Sequence, residues 1–379
     1  MPQVAINQPS SGAPENPDQR AKMVAAMHGA VGHLLKTGGA MLDADEDGIP
    51  PRCNFERKEY NEVLRETDVC SVPDVHGDLG ALRNSLISMG LIDPQTHKWI
   101  GGKRVVQLLG DYMDRGERNI EVLRELISLK KQAEAAGGQV KFLVGNHETM
   151  MLGAIADLSG YRENWQRLEN GGDATFEEMQ FEYGLDGHRT DDEVWQRMWG
   201  EFLEPGGEFT ELYKSMDLVS QVDDVLYVHG GINVHWARLL ASKGVDGLNR
   251  IWREALADFK IGRKQKFVDL MEEDSPLWLR YGEHMKALKD SEVAEISENL
   301  KKIGINAVVL GHDITDTGPE MYDEFEKHGI KLIASDVGMT GEGKTEQSGI
   351  GGVKIDEKGN IEGRSRHGVK MLYSSQSQA

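Results

Sequence analysis

Cysteine is scarce: the chain has two in 379 residues, Cys53 and Cys70. Two thiols exclude a disulfide framework. Cys70, in an apolar-flanked stretch, reads as a small buried hydrophobe and not as a nucleophile. Basic charge is also in deficit, with 43 Lys and Arg against 63 Asp and Glu and a formal net charge of −20. Nucleic acids and anionic membranes are polyanions bound through Lys/Arg patches, so neither is expected as a partner. Long apolar runs are missing as well. None approaches the ~20 residues of a membrane-spanning helix. The opening MPQVAINQPSSGAPENPDQR has neither the basic lead nor the apolar centre of a secretory signal. The expectation is a reducing, cytoplasmic location, with export by a signal-independent route and the oligomeric state both left open.

Residues 1–20 read as a disordered leader. A helical N-terminal extension follows at 21–67, opening with AKMVAAMHGAVGHLLKTGG, where apolar residues recur at helical spacing. His28 and His33 on it read as solvated or packed helix histidines. DADEDGIPP (43–51) begins like a calcium loop, but Pro50 and Pro51 interrupt it and Asn54 stands where the closing Glu belongs. It reads as an acidic turn.

From residue 68 the chain changes character, and a main domain is expected over 68–373, with a flexible tail at 374–379. Short apolar runs recur, each ending in a polar cluster: DVCSVP before DVHGD, RVVQLL before GDYMDRG, VKFLV before GNHE, DVLYV before HGG, AVVL before GHD, KLIA before SDVG. Runs of four to six Val, Leu and Ile bounded by Gly and Asp are buried strands. Helical patterns such as ALRNSLISMG and NIEVLRELISLKKQAEAA lie between several of them. Alternating strands and helices imply a layered α/β fold whose functional groups collect on loops at the carboxyl ends of strands. GGVKIDEKGNIEGRSR (351–366) reads as a closing hairpin. Two stretches interrupt the alternation, about 155–218 and about 235–303. Both read as helical insertions over the loop face, with Trp165, Trp195 and Trp199 as core of the first.

The clusters carry chemistry. Asp74 and His76 alternate at a strand end, so both face one side. Asp111 follows the second strand, Asn146 and His147 the third, His229 the fourth and His312 the fifth. Any one of these is an ordinary loop residue. Together they give six oxygen and imidazole ligands (Asp74, His76, Asp111, Asn146, His229, His312) from five successive strand ends. A mixed O/N set suits manganese, iron or zinc, whereas an all-oxygen set suits magnesium or calcium. Two ions held roughly 3.5–4 Å apart need a bridging carboxylate. Asp111, in the middle of the set, is the natural bridge.

The ordered motifs DVHGD, GDYMDRG, GNHE, HGG and GHD resemble those of the calcineurin-like metallophosphoesterases, and within them the phosphoprotein phosphatase family. The resemblance covers about residues 68–345. It implies an αββα two-sheet sandwich with a dinuclear centre, manganese first and iron or zinc as alternatives. It assigns Asp74, His76 and Asp111 to one ion, and Asp111, Asn146, His229 and His312 to the other. Ile314 stands where broader phosphodiesterases have a second histidine, and the Asp114–Arg115 pair is present; both follow the phosphatase pattern. NGGDATFEEMQFEYG (170–184) is similar to a segment of bacterial phosphatases and diadenosine tetraphosphate hydrolases. PLWLRYG (276–282) and SDVGMTG (335–341) resemble the Shewanella-like phosphatase branch. Pro73 replaces a glycine usual in the family, where only a local backbone change is expected.

The implied reaction is hydrolysis of a phosphomonoester, with phosphorylated Ser/Thr or Tyr in proteins as substrate. Water on the two ions falls in pKa from 15.7 toward about 7 and attacks phosphorus as hydroxide. Arg115 and Arg280, with Asn146, hold the phosphate. His147 protonates the leaving oxygen, and Asp114 orients and stabilises its imidazole. Asp114 also stands where it could cap the helix predicted over IEVLREL, and Arg280 could form a plain surface ion pair. Two alternatives remain at this point. One is a diadenosine polyphosphate hydrolase, with Trp165, Phe181 and Tyr183 available to stack bases. The other is a catalytically silent binding protein, against which the complete ligand set argues.

Overall fold

The computed structural model describes residues 67–167, 169–184, 191–284, 288–339 and 349–375. The expected leader, the extension up to residue 66, the acidic turn, Cys53, His28, His33 and tail residues 376–379 lie outside the described residues.

Each apolar run that precedes a polar cluster forms a strand: β1 (Val69–Val72), β2 (Val105–Leu108), β3 (Gln139–Leu143), β6 (Val225–Val228), β7 (Ala307–Ile314) and β9 (Lys331–Asp336). The closing hairpin is β10 (Gly351–Ile355) and β11 (Ile361–Ser365), with β12 (Gly368–Tyr373) beyond it. Three further short strands, β4 (Met216–Asp217), β5 (Val219–Val222) and β8 (Glu320–Tyr322), have no run of their own in the sequence. The strands form two sheets. One has the order β12-β11-β10-β1-β2-β3-β4, the other β5-β6-β7-β9-β8. Pairing is parallel among β1 to β4 and among β6, β7 and β9, and antiparallel toward the other edges.

Alternation along the strands sets the layers. Val69, Val225, Tyr227, Ala307, Val309, Ile333, Val353 and Ile355 form one buried cluster between the sheets. Their neighbours Cys70, Val72, Val106, Leu226, Val228, Val308 and Leu310 point the other way, into the core shared with the helices. Period-two alternation with both faces apolar is what a doubly covered sheet requires. Helices Leu79–Ser88 and Asn119–Ala135 contact the first sheet, and Val234–Lys260, kinked at Gly244, contacts the second. The fold is mixed α/β with two sheets and flanking helices.

The first insertion contains helices Tyr161–Trp165, Gly172–Glu182, Asp191–Leu203 and Thr210–Lys214. The absence of strands expected through 218 is corrected by β4, which extends the first sheet. One residue later the chain enters the second sheet as β5. Each strand is too short for a periodic signal. The second insertion is helical in its described part, with Gln265–Asp269, Tyr281–His284 and Asp290–Lys302 following the kinked helix.

Candidate metal centre

The parallel strands of both sheets end on one side, and their loops carry the candidate ligands. Asp74 and His76 follow β1, Asp111 follows β2, and His229 follows β6. Asn146 and His147 open the helix Asn146–Ile155 behind β3. His312 lies within β7, not past its end, at the irregularity where pairing with β9 shifts between Leu310 and Ile314. Among the described residues eight non-glycine positions have left-handed backbone, and five are His76, Asp111, Asp114, Arg115 and His312. Strained backbone is thus concentrated at this site, where the surrounding fold enforces it. Gly145 shows the crowding: a Cβ there would lie 2.2 Å from Asp111 Oδ1.

The imidazoles are oriented through their outer nitrogens. His76 Nδ1 donates to the Met113 carbonyl at 3.0 Å, His229 Nδ1 to the Leu109 carbonyl at 2.8 Å, and His312 Nε2 to the Trp278 carbonyl at 3.1 Å. Each opposite ring nitrogen therefore carries a lone pair aimed inward, as metal-binding histidines require. His229 Nε2 faces Asn146 Oδ1 at 2.8 Å and Asp111 Oδ1 at 3.4 Å. Three lone-pair atoms converging without a proton between them fit a cation. Burial pushes the histidines down, His229 to about 3, so they are neutral and able to ligate. Burial and neighbouring acids push Asp74 and Asp111 well above the usual carboxylate range. A divalent ion reverses that preference.

Ligand atoms fall into two sets that share Asp111, within 4.8 Å in each: Asp74, Asp111, His229 and His312; and His76, Asp111 and His147. The resemblance places Asp74 with His76 and leaves His147 out of the ligands, so the two partitions differ at Asp74 and at His147. The structure brings all six proposed ligands together, and the donor set suits a divalent-metal centre.

His147 and Asp114 form a buried pair, with Nδ1 2.8 Å from Asp114 Oδ2. His147 Nε2 is 3.9 Å from Asp111 Oδ2 and accepts from Arg115 Nη2 at 3.3 Å; Arg115 Nη1 donates to His76 Nε2 at 3.0 Å. Arg280 donates to the His312 carbonyl; burial, then the charges of Arg115 and Arg280, hold His147 well below the usual histidine range. Both guanidiniums thus stand at the donor cluster.

Glu148, Asp336 and Thr175, for which the sequence suggests no role, and Trp165, expected as core or a base-stacking aromatic, also build this site. Glu148 accepts from the backbone N–H of Asp111, Tyr112 and Gly145 at 2.8, 2.9 and 2.9 Å, joining the loops after β2 and β3. Its place inside GNHE was the available signal. Asp336, at the end of β9, is buried beside Asp74 and pushed up to about 6 by burial. Trp165 and Thr175 donate to Asp114, which burial nonetheless raises to about 7. Trp165 is fully buried and Tyr183 lies under Arg197, whereas Phe181 is 76% exposed. The three aromatics considered for base stacking therefore do not form one platform. Asp114 does not cap Asn119–Ala135; Glu178 accepts from the N–H of Asn119 and Ile120 at 2.7 and 3.0 Å.

Two sheets whose strand ends converge on buried Asp, His and Asn donors are the construction of a metal-dependent hydrolase. The calcineurin-like phosphoesterase profile matches residues 69–316, and the chain belongs to that family. It is 30% identical over 315 residues to Shewanella-like protein phosphatase 2 of Arabidopsis thaliana, covering 74% of each chain. The solved structure of a cold-active protein tyrosine phosphatase superposes with a TM-score of 0.60 at 22% identity, over 81% of this chain and 79% of the other. Another, of the cold-active enzyme from a psychrophilic Shewanella species, gives 0.55 at 22% identity over 81% and 80%. At that identity the structural likeness concerns the fold. Among the described residues no helix is long and apolar enough to cross a membrane.

Proposed function

We propose that this phosphoesterase is a dinuclear, divalent-metal-dependent phosphatase acting on phosphorylated side chains of proteins, with manganese preferred over iron or zinc. The observation that carries the reading is the buried His147–Asp114 pair at a cluster of Asp, His and Asn donors centred on Asp111. The Arabidopsis and Shewanella proteins are a protein phosphatase and a protein tyrosine phosphatase, which supports the substrate class. Asp74, His76 and Asp111 would hold one ion, and Asp111, Asn146, His229 and His312 the other. When bound, the pair supplies an activated water nucleophile and neutralises phosphoryl oxygens.

The remaining work falls to the chain. Arg115 and Arg280 stand beside His147 and His312 and would take the outer phosphoryl oxygens, for which a planar guanidinium is suited. They also disfavour a proton on His147, and an incoming phosphate dianion offsets that field. His147 then holds a proton on Nε2 for the departing alkoxide or phenoxide, while Asp114 anchors Nδ1–H. The net charge of −20 does not oppose this, because surface carboxylates beyond about 8 Å are screened at physiological salt.

The test is hydrolysis of a phosphotyrosine peptide, a phosphothreonine peptide and diadenosine tetraphosphate by manganese-loaded protein, side by side. Faster turnover of either peptide is expected. Preference for the dinucleotide would move the reading to nucleotide anhydrides, and no turnover at all would leave a binding protein.

A further inference from the structure

Trp165 and Thr175 are separated from Asp114 by 51 and 61 residues, yet both reach its carboxylate. Trp165 Nε1 donates to Oδ2 at 2.7 Å, the same oxygen that faces His147 Nδ1 at 2.8 Å. Thr175 Oγ1 lies 2.7 Å from Oδ1 and accepts from the Asp114 N–H at 3.2 Å. All three residues are fully buried, so water does not compete. An indole nitrogen can only donate. The Thr175 hydroxyl accepts from the backbone and turns its one proton toward Oδ1. Both carboxylate oxygens thus accept a hydrogen bond, and because His147 Nε2 accepts from Arg115 Nη2 at 3.3 Å, the proton of the neutral ring sits on Nδ1, facing Asp114. If it sat on Asp114 instead, Nδ1 would be the acceptor and Nε2–H would belong to a neutral imidazole, a far weaker acid.

The surroundings keep these donors in place. The Arg115 N–H donates to the Gly171 carbonyl at 2.9 Å, and a Cβ at Gly171 would lie 2.4 Å from that nitrogen. The left-handed backbone of Gly171 lets the segment approach so closely. Trp165 packs on Trp195, with ring centroids 5.8 Å apart.

We propose that Trp165 and Thr175, both supplied by the first insertion, are positioning residues for the leaving-group acid: they fix Asp114 as a double acceptor and thereby hold His147 with Nδ1–H inward and Nε2 toward the ester. The catalytic part rests on the phosphatase reading above; the placement of the proton does not. The test compares Trp165→Phe, which keeps the ring and loses the donor, Thr175→Val, which is close to isosteric, and Thr175→Ser, which keeps the hydroxyl. ¹⁵N NMR of the His147 ring should show an Nδ1–H in the wild type that is lost or averaged in the Trp165→Phe/Thr175→Val double variant. Turnover of phenyl phosphate, whose leaving group has a pKa near ~10, should fall about ten-fold or more, against less than about three-fold for p-nitrophenyl phosphate. Thr175→Ser should recover most of the Thr175→Val loss, and Trp165→Phe should add little in an Asp114→Asn background. An unchanged His147 signal in the double variant would overturn the proposal, as would equal losses on both esters. If Trp165→Phe does not fold, Thr175→Val carries the same comparison alone. Wild-type protein that turns over neither ester would overturn the phosphatase reading, while the NMR result still decides the proton's place.

Discussion

Glu148 shows how one side chain can hold two strand ends together. Its carboxylate accepts three buried backbone N–H groups, two from the loop that carries Asp111 and one from Gly145. Leaving a buried donor unpaired costs roughly 1–3 kcal/mol each. Glu148→Ala should therefore lower stability in urea by about 3 kcal/mol or more and reduce metal content at both sets, since Asp111 belongs to both. His147 poses a different question, because its Nε2 comes within 3.9 Å of Asp111 and geometry alone would admit it as a ligand. If it is the general acid, His147→Asn should keep its metal by elemental analysis. It should lose about 10²-fold or more on phenyl phosphate and much less on p-nitrophenyl phosphate, whose leaving group departs unaided. Metal loss in this variant would make His147 a ligand instead.

The helix Asn119–Ala135 illustrates how the first insertion is tied to the main domain. Its N-cap, Arg118, makes no side-chain capping bond. Glu178, in helix Gly172–Glu182, supplies the acceptor from 58 residues away. Glu178→Ala should cost about 1 kcal/mol in equilibrium denaturation, the usual effect of losing a helix-capping acceptor. Arg124 adds bridges to Glu182 and Glu208, though these are exposed and contribute little. The second insertion reaches the centre through one loop, where the Trp278 carbonyl orients His312 and Arg280 lies two residues on. Both insertions thus supply parts of the site, and removing the first would withdraw the donors to Asp114 along with any shaping of the groove.

Across the molecule, proton and metal linkage should be visible in thermal stability. Asp74 and Asp111 keep their protons to higher pH in the folded chain than in the unfolded one. Without a cation they therefore favour folding less as pH rises through their raised values. His76, His229 and His312 act in the opposite sense: their folded values lie below 6.5, so stability is lost as pH falls through about 6.5. A divalent ion needs the carboxylates ionised, so its binding weakens on acidification. Manganese at about 100 times its dissociation constant should contribute roughly 2.7 kcal/mol, or several degrees in Tm, at pH 7.5. By scanning fluorimetry that increment should shrink at pH 5.5. Equal increments at both pH values would mean that the ion binds elsewhere.

The strand-end clusters were legible because an apolar run, a turn and a polar residue are all encoded within about ten positions, and the fold repeats that unit. Asp74, His76, Asp111, Asn146, His229 and His312 could therefore be proposed as ligands from order and spacing, whereas the role given to His147 came with the family resemblance. Tertiary structure was needed wherever the partner is remote or the element too short for a period. β4, β5 and β8 exist because neighbouring strands offer unpaired edges. His312 sits in an irregularity of β7 that only its pairing with β9 reveals. Asp114, which sequence alone could equally make a helix cap, faces His147 because Trp165 and Thr175 hold it there and Glu178 takes the cap. Those contacts span 51 to 61 residues. No local pattern records them, because they form only when the insertion folds back over the loop that carries Asp114.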